Sequence, residues 1–300
     1  KDAALQAEIA GTRILEAFAP TFRILDAEYR CTASIGAALI CGRETSEDSL
    51  LQQADLALYE AKDTGRNCLR FYDPEMQSSV VERAALEGYL RLAIECDQLV
   101  LHYQPQVHAD GRIVGAEALV RWNHPERGLV SPAAFIPLAE ETGLILPLGY
   151  WVLDNVCVTL SEWADRPELA ELTIAVNVSA RQFHSPDFVD QVFSILAKTR
   201  ANPERLKLEL TESLLVENVQ EIIEKMRVLK GKGISFSLDD FGTGYSSLSY
   251  LKLLPLEQLK IDQSFVRDIL VDPNDAAIAT TIIALAESLG LQAIAEGVET

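Results

Sequence analysis

The sequence predicts an α/β protein: a (β/α)8 barrel with one antiparallel strand, preceded by a smaller α+β segment. Three observations carry this. Through the later part of the chain, short apolar runs alternate with amphipathic helical patterns, which specifies a parallel sheet with helices packed outside it. A turn signal at Ala109-Asp110-Gly111 joins the first two strands of that series tightly, so they are antiparallel. Most later strands end on an acid or an amide: Glu117, Asn177, Glu209, Asp239-Asp240 and Glu296. The carboxyl ends of barrel strands are where ligands bind.

The elements follow in order. A helical period runs through Leu5, Ile9, Ile14, Leu15 and Phe18. Strand-like runs occupy 22–25 and 31–40. Ser46 is placed as an N-cap, with Asp48 in the first turn. The helix it opens runs through Leu50, Leu51, Ala54, Leu56, Ala57 and Tyr59, and Gly65 stops it. Residues 69–72 read as a short strand. The pattern breaks at Asp73-Pro74-Glu75, so a first domain is expected over 1–73, a linker over 74–82 and a second domain over 83–300. A helix is expected from Val81 to Ile94. Strands are expected at 100–107, 112–122, 172–178, 206–210, 234–238, 258–261 and 292–295. Helices fit 132–142, 148–164, 187–198, 219–230 and 275–289. A closed barrel has eight strands; the last is therefore either hidden in the pattern or lies beyond Thr300.

Length and composition narrow the function. The chain has 300 residues, 48% of them hydrophobic, enough for a sizeable core. No apolar stretch approaches the ~20 residues of a membrane span. Lys1-Asp2 opens directly into a helical pattern, so neither a signal peptide nor membrane contact is expected within these residues. The net charge of −19 argues against a DNA or RNA polymer as partner. Most of that excess reads as a solvated surface, yet it would oppose the approach of an anionic substrate, and local cations would then have to attract it. Cys31, Cys41, Cys68, Cys96 and Cys157 show no zinc spacing. They read as reduced core residues of a cytoplasmic protein. His102, His108, His124 and His184 form no HxH or HxxxH pair, which argues against zinc.

A carboxylate inside a strand packed on both faces costs several kcal/mol unless it is paired or metal-bound. Taken singly, each strand-end acid reads as a solvated loop residue; coincidence is a poor account of so many. Glu117 is the one acid in Gly115-Ala116-Glu117-Ala118-Leu119-Val120-Arg121-Trp122. Asn177 would be a turn cap by itself, but its carbonyl oxygen can serve a cation without adding charge. Of Glu209 and Glu212 only one can end its strand inward, which leaves Glu212 as a loop tether or N-cap partner. Asp239 and Asp240 repel each other unless cations intervene. A carboxylate bridging metals about 3.5–4 Å apart uses that arrangement. Gly242-Thr243-Gly244 lets the next loop fold tightly, although such a run is usually only a turn. Lys260 would hold a water or a phosphate oxygen, or simply snorkel to the surface. Oxygen-rich sites hold hard divalent cations, and paired cations cleave phosphodiesters.

Glu117-Ala118-Leu119 resembles the signature of the EAL domains, the cyclic di-GMP phosphodiesterases. The likeness covers about residues 83–300. It runs through Tyr103-Gln104-Pro105, Arg121-Trp122, 135–140, Asn177-Val178-Ser179, Glu209-Leu210-Thr211-Glu212, 239–244, Lys260-Ile261-Asp262 and Glu296-Gly297-Val298-Glu299, in order and at family-like spacing. Residues 1–73 resemble the carboxyl-terminal half of a GGDEF (diguanylate cyclase) domain, through 33–38, 54–62 and Gly65-Arg66-Asn67. The GGDEF signature itself is absent, so no cyclic di-GMP synthesis is expected.

The resemblance implies hydrolysis of cyclic di-GMP to the linear dinucleotide, in bacterial second-messenger signalling, with two Mg²⁺ or Mn²⁺ ions. It implies that Glu117, Asn177, Glu209 and Asp239 hold one cation, and Asp239, Asp240 and Glu296 the second. Glu117, Lys260 and Glu296 would be the catalytic set, with Lys260 positioning the attacking water. Gln104, Leu119 and Arg121 would contact substrate, Arg121 at a phosphate, and Glu212 would steady the loop after Asp240. A homodimer through the EAL domain is implied as well. Family members continue into a last strand and helix, with a glutamine near the mouth. This chain is therefore expected to be an excerpt of a longer GGDEF–EAL protein, with an exposed sheet edge that invites instability or aggregation. A non-catalytic cyclic di-GMP receptor is the alternative; receptors of that kind usually lose several ligand positions, and here those positions are filled. A purely structural interaction domain leaves the strand-end acids unexplained.

Overall fold

The computed structural model describes residues 2–24, 27–40, 46–212, 214, 218–242 and 248–298. The chain forms two compact units, residues 1–86 and 87–300.

The first unit contains α1 (Asp2–Phe18), the antiparallel pair β1 (Phe22–Ile24) and β2 (Ala27–Tyr29), β3 (Ile35–Ala37), α2 (Glu47–Asp63), β4 (Leu69–Phe71) and the start of α3 (Pro74–Glu95). The Ser46 hydroxyl oxygen accepts the Ser49 N–H at 3.2 Å, which caps α2 as its sequence predicts. β3 and β4 run parallel. At Gly36 an added Cβ would lie 2.2 Å from both the Ala54 carbonyl oxygen and the Leu58 nitrogen. α2 therefore lies directly on β3, and only glycine fits between them.

Two expectations need correction here. The strand expected over 31–40 is confined to β3, because β4 offers only three positions to pair with. The break expected at Pro74 is a helix start. Proline at the first helical position has no N–H to leave unsatisfied, and the Asp73 carboxylate accepts the Glu75 N–H at 2.9 Å. Residues 74–82 are accordingly helical, and α3 begins well before Val81.

The second unit continues with β5 (Leu99–Val107), β6 (Ile113–His124), β7 (Gly128–Val130), α4 (Pro132–Thr142), α5 (Ile145–Ala164), β8 (Thr173–Val178), α6 (Ala180–His184), α7 (Phe188–Thr199) and β9 (Leu206–Thr211). Then come α8 (Val219–Lys230), β10 (Ser235–Phe241), α9 (Leu248–Leu251), β11 (Gln258–Ile261), α10 (Gln263–Arg267), α11 (Pro273–Leu289) and β12 (Gln292–Ala295). The sheet order is β12-β11-β10-β9-β8-β6-β5, with β7 paired to β6. β5 and β7 run antiparallel to β6; the other neighbours are parallel. This is the expected α/β barrel sheet with its helices, and among the described residues no ladder joins β12 back to β5. β7, α6, α9 and α10 were not anticipated; each is too short to show a period.

The two faces of this sheet differ. Along β9, Leu206, Leu208 and Leu210 join a core with Phe188, Val192, Ile222 and Met226 of the helices. Lys207, Glu209 and Thr211 take the opposite face, as strand alternation requires. β10 repeats this with Phe236 and Leu238 against Ser235, Ser237 and Asp239, and β11 with Leu259 and Ile261 against Gln258 and Lys260. The inner face is therefore both polar and buried. The cysteine expectation holds only in part. Cys157 is buried, where loss of hydration pushes its thiol up to about 12. Cys31 and Cys96 are exposed and Cys68 is half-buried, all three free; they lie in connections rather than on packed faces. Cys41 lies outside the described residues.

Candidate functional site

Neighbouring strands carry the predicted residues to one place. Glu117 on β6 pairs across to Gln104 on β5 and to Ala175 on β8. Asn177 on β8 stands opposite Glu209 on β9, and Glu209 opposite Ser237 on β10. At the centre is Lys260. Its ammonium lies 2.6 Å from Glu209 Oε2, 3.1 Å from Asp239 Oδ2, 3.2 Å from Glu117 Oε2 and 2.5 Å from Glu296 Oε1. Its side chain is 2% exposed. Burial alone would pull this ammonium's pKa down, but the carboxylates around it outweigh burial and hold it well above the ordinary lysine value.

Strand alternation should send Asp239 and Asp240 to opposite faces. The structure resolves this with a local irregularity. Asp240 has φ 53°, a left-handed conformation that aspartate tolerates, and the β10–β11 register shifts between Leu238 and Phe241. As in a β-bulge, the extra residue re-aims a side chain. Asp239, Asp240 and Glu296 each place an oxygen within 4.8 Å of the others. The Asn177 amide nitrogen donates to Glu117 Oε1 at 2.7 Å, which leaves its carbonyl oxygen as a neutral donor for a cation.

The cluster holds more acid than one lysine can balance. Burial pushes Glu209 up to about 7; Lys260 opposes that rise, while Glu117 and Asp239 add to it. Asp240 is raised to about 6, first by burial, then by the Asp239 charge and by its hydrogen bond to Asp262. Burial also raises Glu296, against the pull of Lys260. Such a group needs protons or cations to exist together. Its donors are carboxylate oxygens and one amide, a set that fits hard divalent ions and not the metals that favour thiolate or imidazole.

The remaining predicted residues surround this centre. Gln104 and Leu119 line a cavity of about 670 Å³ together with Glu117, Lys260 and Glu296. Leu119 also borders a second cavity of about 300 Å³, with Arg121, Ile136 and Asn177. Arg121 stands outside the carboxylate cluster and donates to the Val120 carbonyl at 2.9 Å. Glu212 accepts the Gly242 N–H at 3.4 Å, which ties the end of β9 to the turn after Asp240. Thr243, Gly244 and Glu299 lie outside the described residues. Sequence reasoning gave no role to Asp262, which accepts the Asp240 hydrogen bond and the Ser264 N–H at 2.9 Å. It also overlooked Gln106, which donates to Glu209 Oε1 at 3.5 Å. Gln106 stands two residues after Gln104 on the same strand, so the two-residue period was the signal that could have found it.

The EAL domain family matches residues 87–300. The chain belongs to the EAL domain family. Residues 1–68 match the diguanylate cyclase, GGDEF domain. The chain is similar to the bifunctional diguanylate cyclase/cyclic di-GMP phosphodiesterase MucR of Pseudomonas aeruginosa, 44% identical over 300 residues, covering 100% of this chain and 43% of that protein. It is similar to the cyclic di-GMP phosphodiesterase PdeR of Escherichia coli, 41% identical over 293 residues, covering 98% and 44%. The chain thus spans less than half the length of either relative. A solved structure of the PaMucR phosphodiesterase in complex with c-di-GMP shares 47% identity and a TM-score of 0.70, covering 72% of this chain and 87% of that one. EAL phosphodiesterases are metal-dependent, and the acidic cluster of this EAL domain is of the kind that binds cations. No helix among the described residues is long and apolar enough to cross a membrane.

Proposed function

We propose that this EAL domain hydrolyses one phosphodiester of cyclic di-GMP to the linear dinucleotide, with two Mg²⁺ or Mn²⁺ ions. The observation that carries this is the convergence of Glu117, Glu209, Asp239 and Glu296 on Lys260, with Asp240 turned back beside them. Family membership and the activities for which MucR and PdeR are named support the same reading. Glu117, Asn177, Glu209 and Asp239 would hold one ion, and Asp239, Asp240 and Glu296 the other. Bound there, the ions supply an activated water and neutralise charge that develops on the phosphate.

The chain's own residues do the rest. Lys260 is fixed by the carboxylates around it and presents a permanent positive charge to the attacking water. Asn177 holds Glu117 in place. Gln104 and Leu119 receive the substrate in the larger cavity, and Arg121 contacts a phosphate. Glu212 anchors the turn that follows Asp240. The same reading assigns 83–300 to the catalytic domain and 1–73 to a GGDEF-like segment. It also places these 300 residues on the cytoplasmic side of the bacterial cell, whether or not an upstream segment anchors the full-length protein to the membrane. It pairs them as a homodimer through the EAL domain, an assembly that light scattering tests.

A receptor that only holds cyclic di-GMP would not require the full set of cation ligands. The two readings separate on incubation with cyclic di-GMP and Mg²⁺, with and without chelator, followed by chromatography. Linear product that appears only with the metal supports the enzyme; binding without product makes the domain a receptor. Glu117→Ala and Asp239→Asn are each expected to remove most of the rate. Near-wild-type turnover by either would overturn the ligand assignment.

A further inference from the structure

We infer that Lys207 is a second interior cation that weakens divalent-ion binding at the site above it; this rests on the metal-dependent reading just given. Lys207 stands two residues before Glu209 on β9 and shares its face. It is 8% exposed, and its ammonium donates to Gln258 Oε1 at 2.9 Å. Gln258 in turn stands two residues before Lys260 on β11. A Lys207–Gln258 layer thus underlies the Glu209–Lys260 layer. Ser237 is in register with both Glu209 and Gln258; it is fully buried, and its hydroxyl has no hydrogen-bond partner among the described residues.

The hydrogen-bond partner of Lys207 is a neutral amide, and no carboxylate among the described residues pairs with it directly. Its charge acts at a distance. Burial pulls its pKa below the ordinary lysine value; the charges of Glu209 and Glu257 oppose that fall, and Lys260 adds to it. A buried charge on a neutral partner is an expensive way to fill space, so packing does not explain it. Two residues along a strand separate side chains by about 7 Å, and salt screens buried charges little. At that range an ammonium lowers the affinity of a neighbouring divalent ion roughly tenfold or more. Lys207 touches neither substrate nor ion in this scheme. It tunes the site, keeping the ions exchangeable and leaving part of their hold to the anionic phosphate of the substrate.

The test is calorimetric titration of the 300-residue chain with Mn²⁺ alone, comparing wild type with Lys207→Met, Lys207→Gln and Lys207→Arg. The Met and Gln variants should bind about tenfold more tightly, and the Arg variant within about twofold of wild type. A thermal melt of each variant confirms folding; if Lys207→Met fails to fold, the Gln and Arg pair carries the comparison. Unchanged or weaker binding in the Gln variant would show a merely structural lysine and overturn the inference. Absence of Mn²⁺ binding by wild type would overturn the metal reading itself, and this inference with it.

Discussion

At Lys260 one ammonium meets four carboxylates that come from β6, β9, β10 and the residue after β12. That shared charge is the main offset to the desolvation of each carboxylate. Lys260→Met should therefore destabilise the metal-free domain by about 3–5 kcal/mol, because it leaves buried acids without a counter-ion. Urea denaturation in chelator measures this, and added Mn²⁺ should recover much of the loss. An unchanged midpoint in chelator would mean that the acids do not depend on Lys260. The strand-end acids were visible in the sequence because each, with Asp239-Asp240 taken as a pair, follows a short apolar run. Asp262 was not, since one more aspartate after Lys260-Ile261 has the same local pattern as a helix N-cap, which it also is for α10.

Among the elements, α6 shows how the site is held from behind. It starts directly after Asn177-Val178, and the Ser179 and Gln182 side chains close a capping box at its N-terminus. The Gln182 amide lies so close to α5 that a Cβ at Gly149 would come within 1.7 Å of its nitrogen. Gly149→Ala should cost about 1–3 kcal/mol through overpacking and weaken Mn²⁺ binding through the displaced Asn177. Adding Gln182→Ala should relieve part of the clash, so the double variant loses less than the sum of the two. Additive losses in urea melts would contradict a direct interlock. Neither α6 nor β7 was legible, because a single turn or three strand residues carry no period. The long helices and the parallel strands were legible, because their apolar spacing repeats. Pro74 misled because proline both breaks helices and begins them, and only the Asp73–Glu75 contact distinguishes the two.

For the whole molecule, the interior of the sheet is the feature that the sequence concealed. A polar residue at every second position of a strand reads as a solvent face, yet Lys207, Glu209, Ser237, Gln258 and Lys260 are buried. Their burial comes from neighbouring strands lined up on one face of the sheet, which is a property of no single segment. It also sets how stability depends on pH. Glu209 rises from 4.5 to about 7 and Asp240 from 3.8 to about 6 on folding, so the folded chain binds these protons more tightly than the unfolded one. Their contribution is fully present below the unfolded values and is lost as pH rises through about 6 to 7. Both groups must lose their protons to hold a cation. The melting temperature in chelator should thus fall between about pH 5 and pH 7.5, and Mn²⁺ should raise it more at the upper end. Glu209→Gln should flatten the first trend; a metal-free melting temperature that rises across this window would contradict the assignment.

The most direct measurement is anomalous diffraction from crystals grown with Mn²⁺. Two peaks about 3.5–4 Å apart are expected, one against Glu117, Asn177, Glu209 and Asp239, the other against Asp239, Asp240 and Glu296. A site that binds no Mn²⁺, or peaks that lie away from Asp239, would contradict a two-ion centre at the mouth of this sheet.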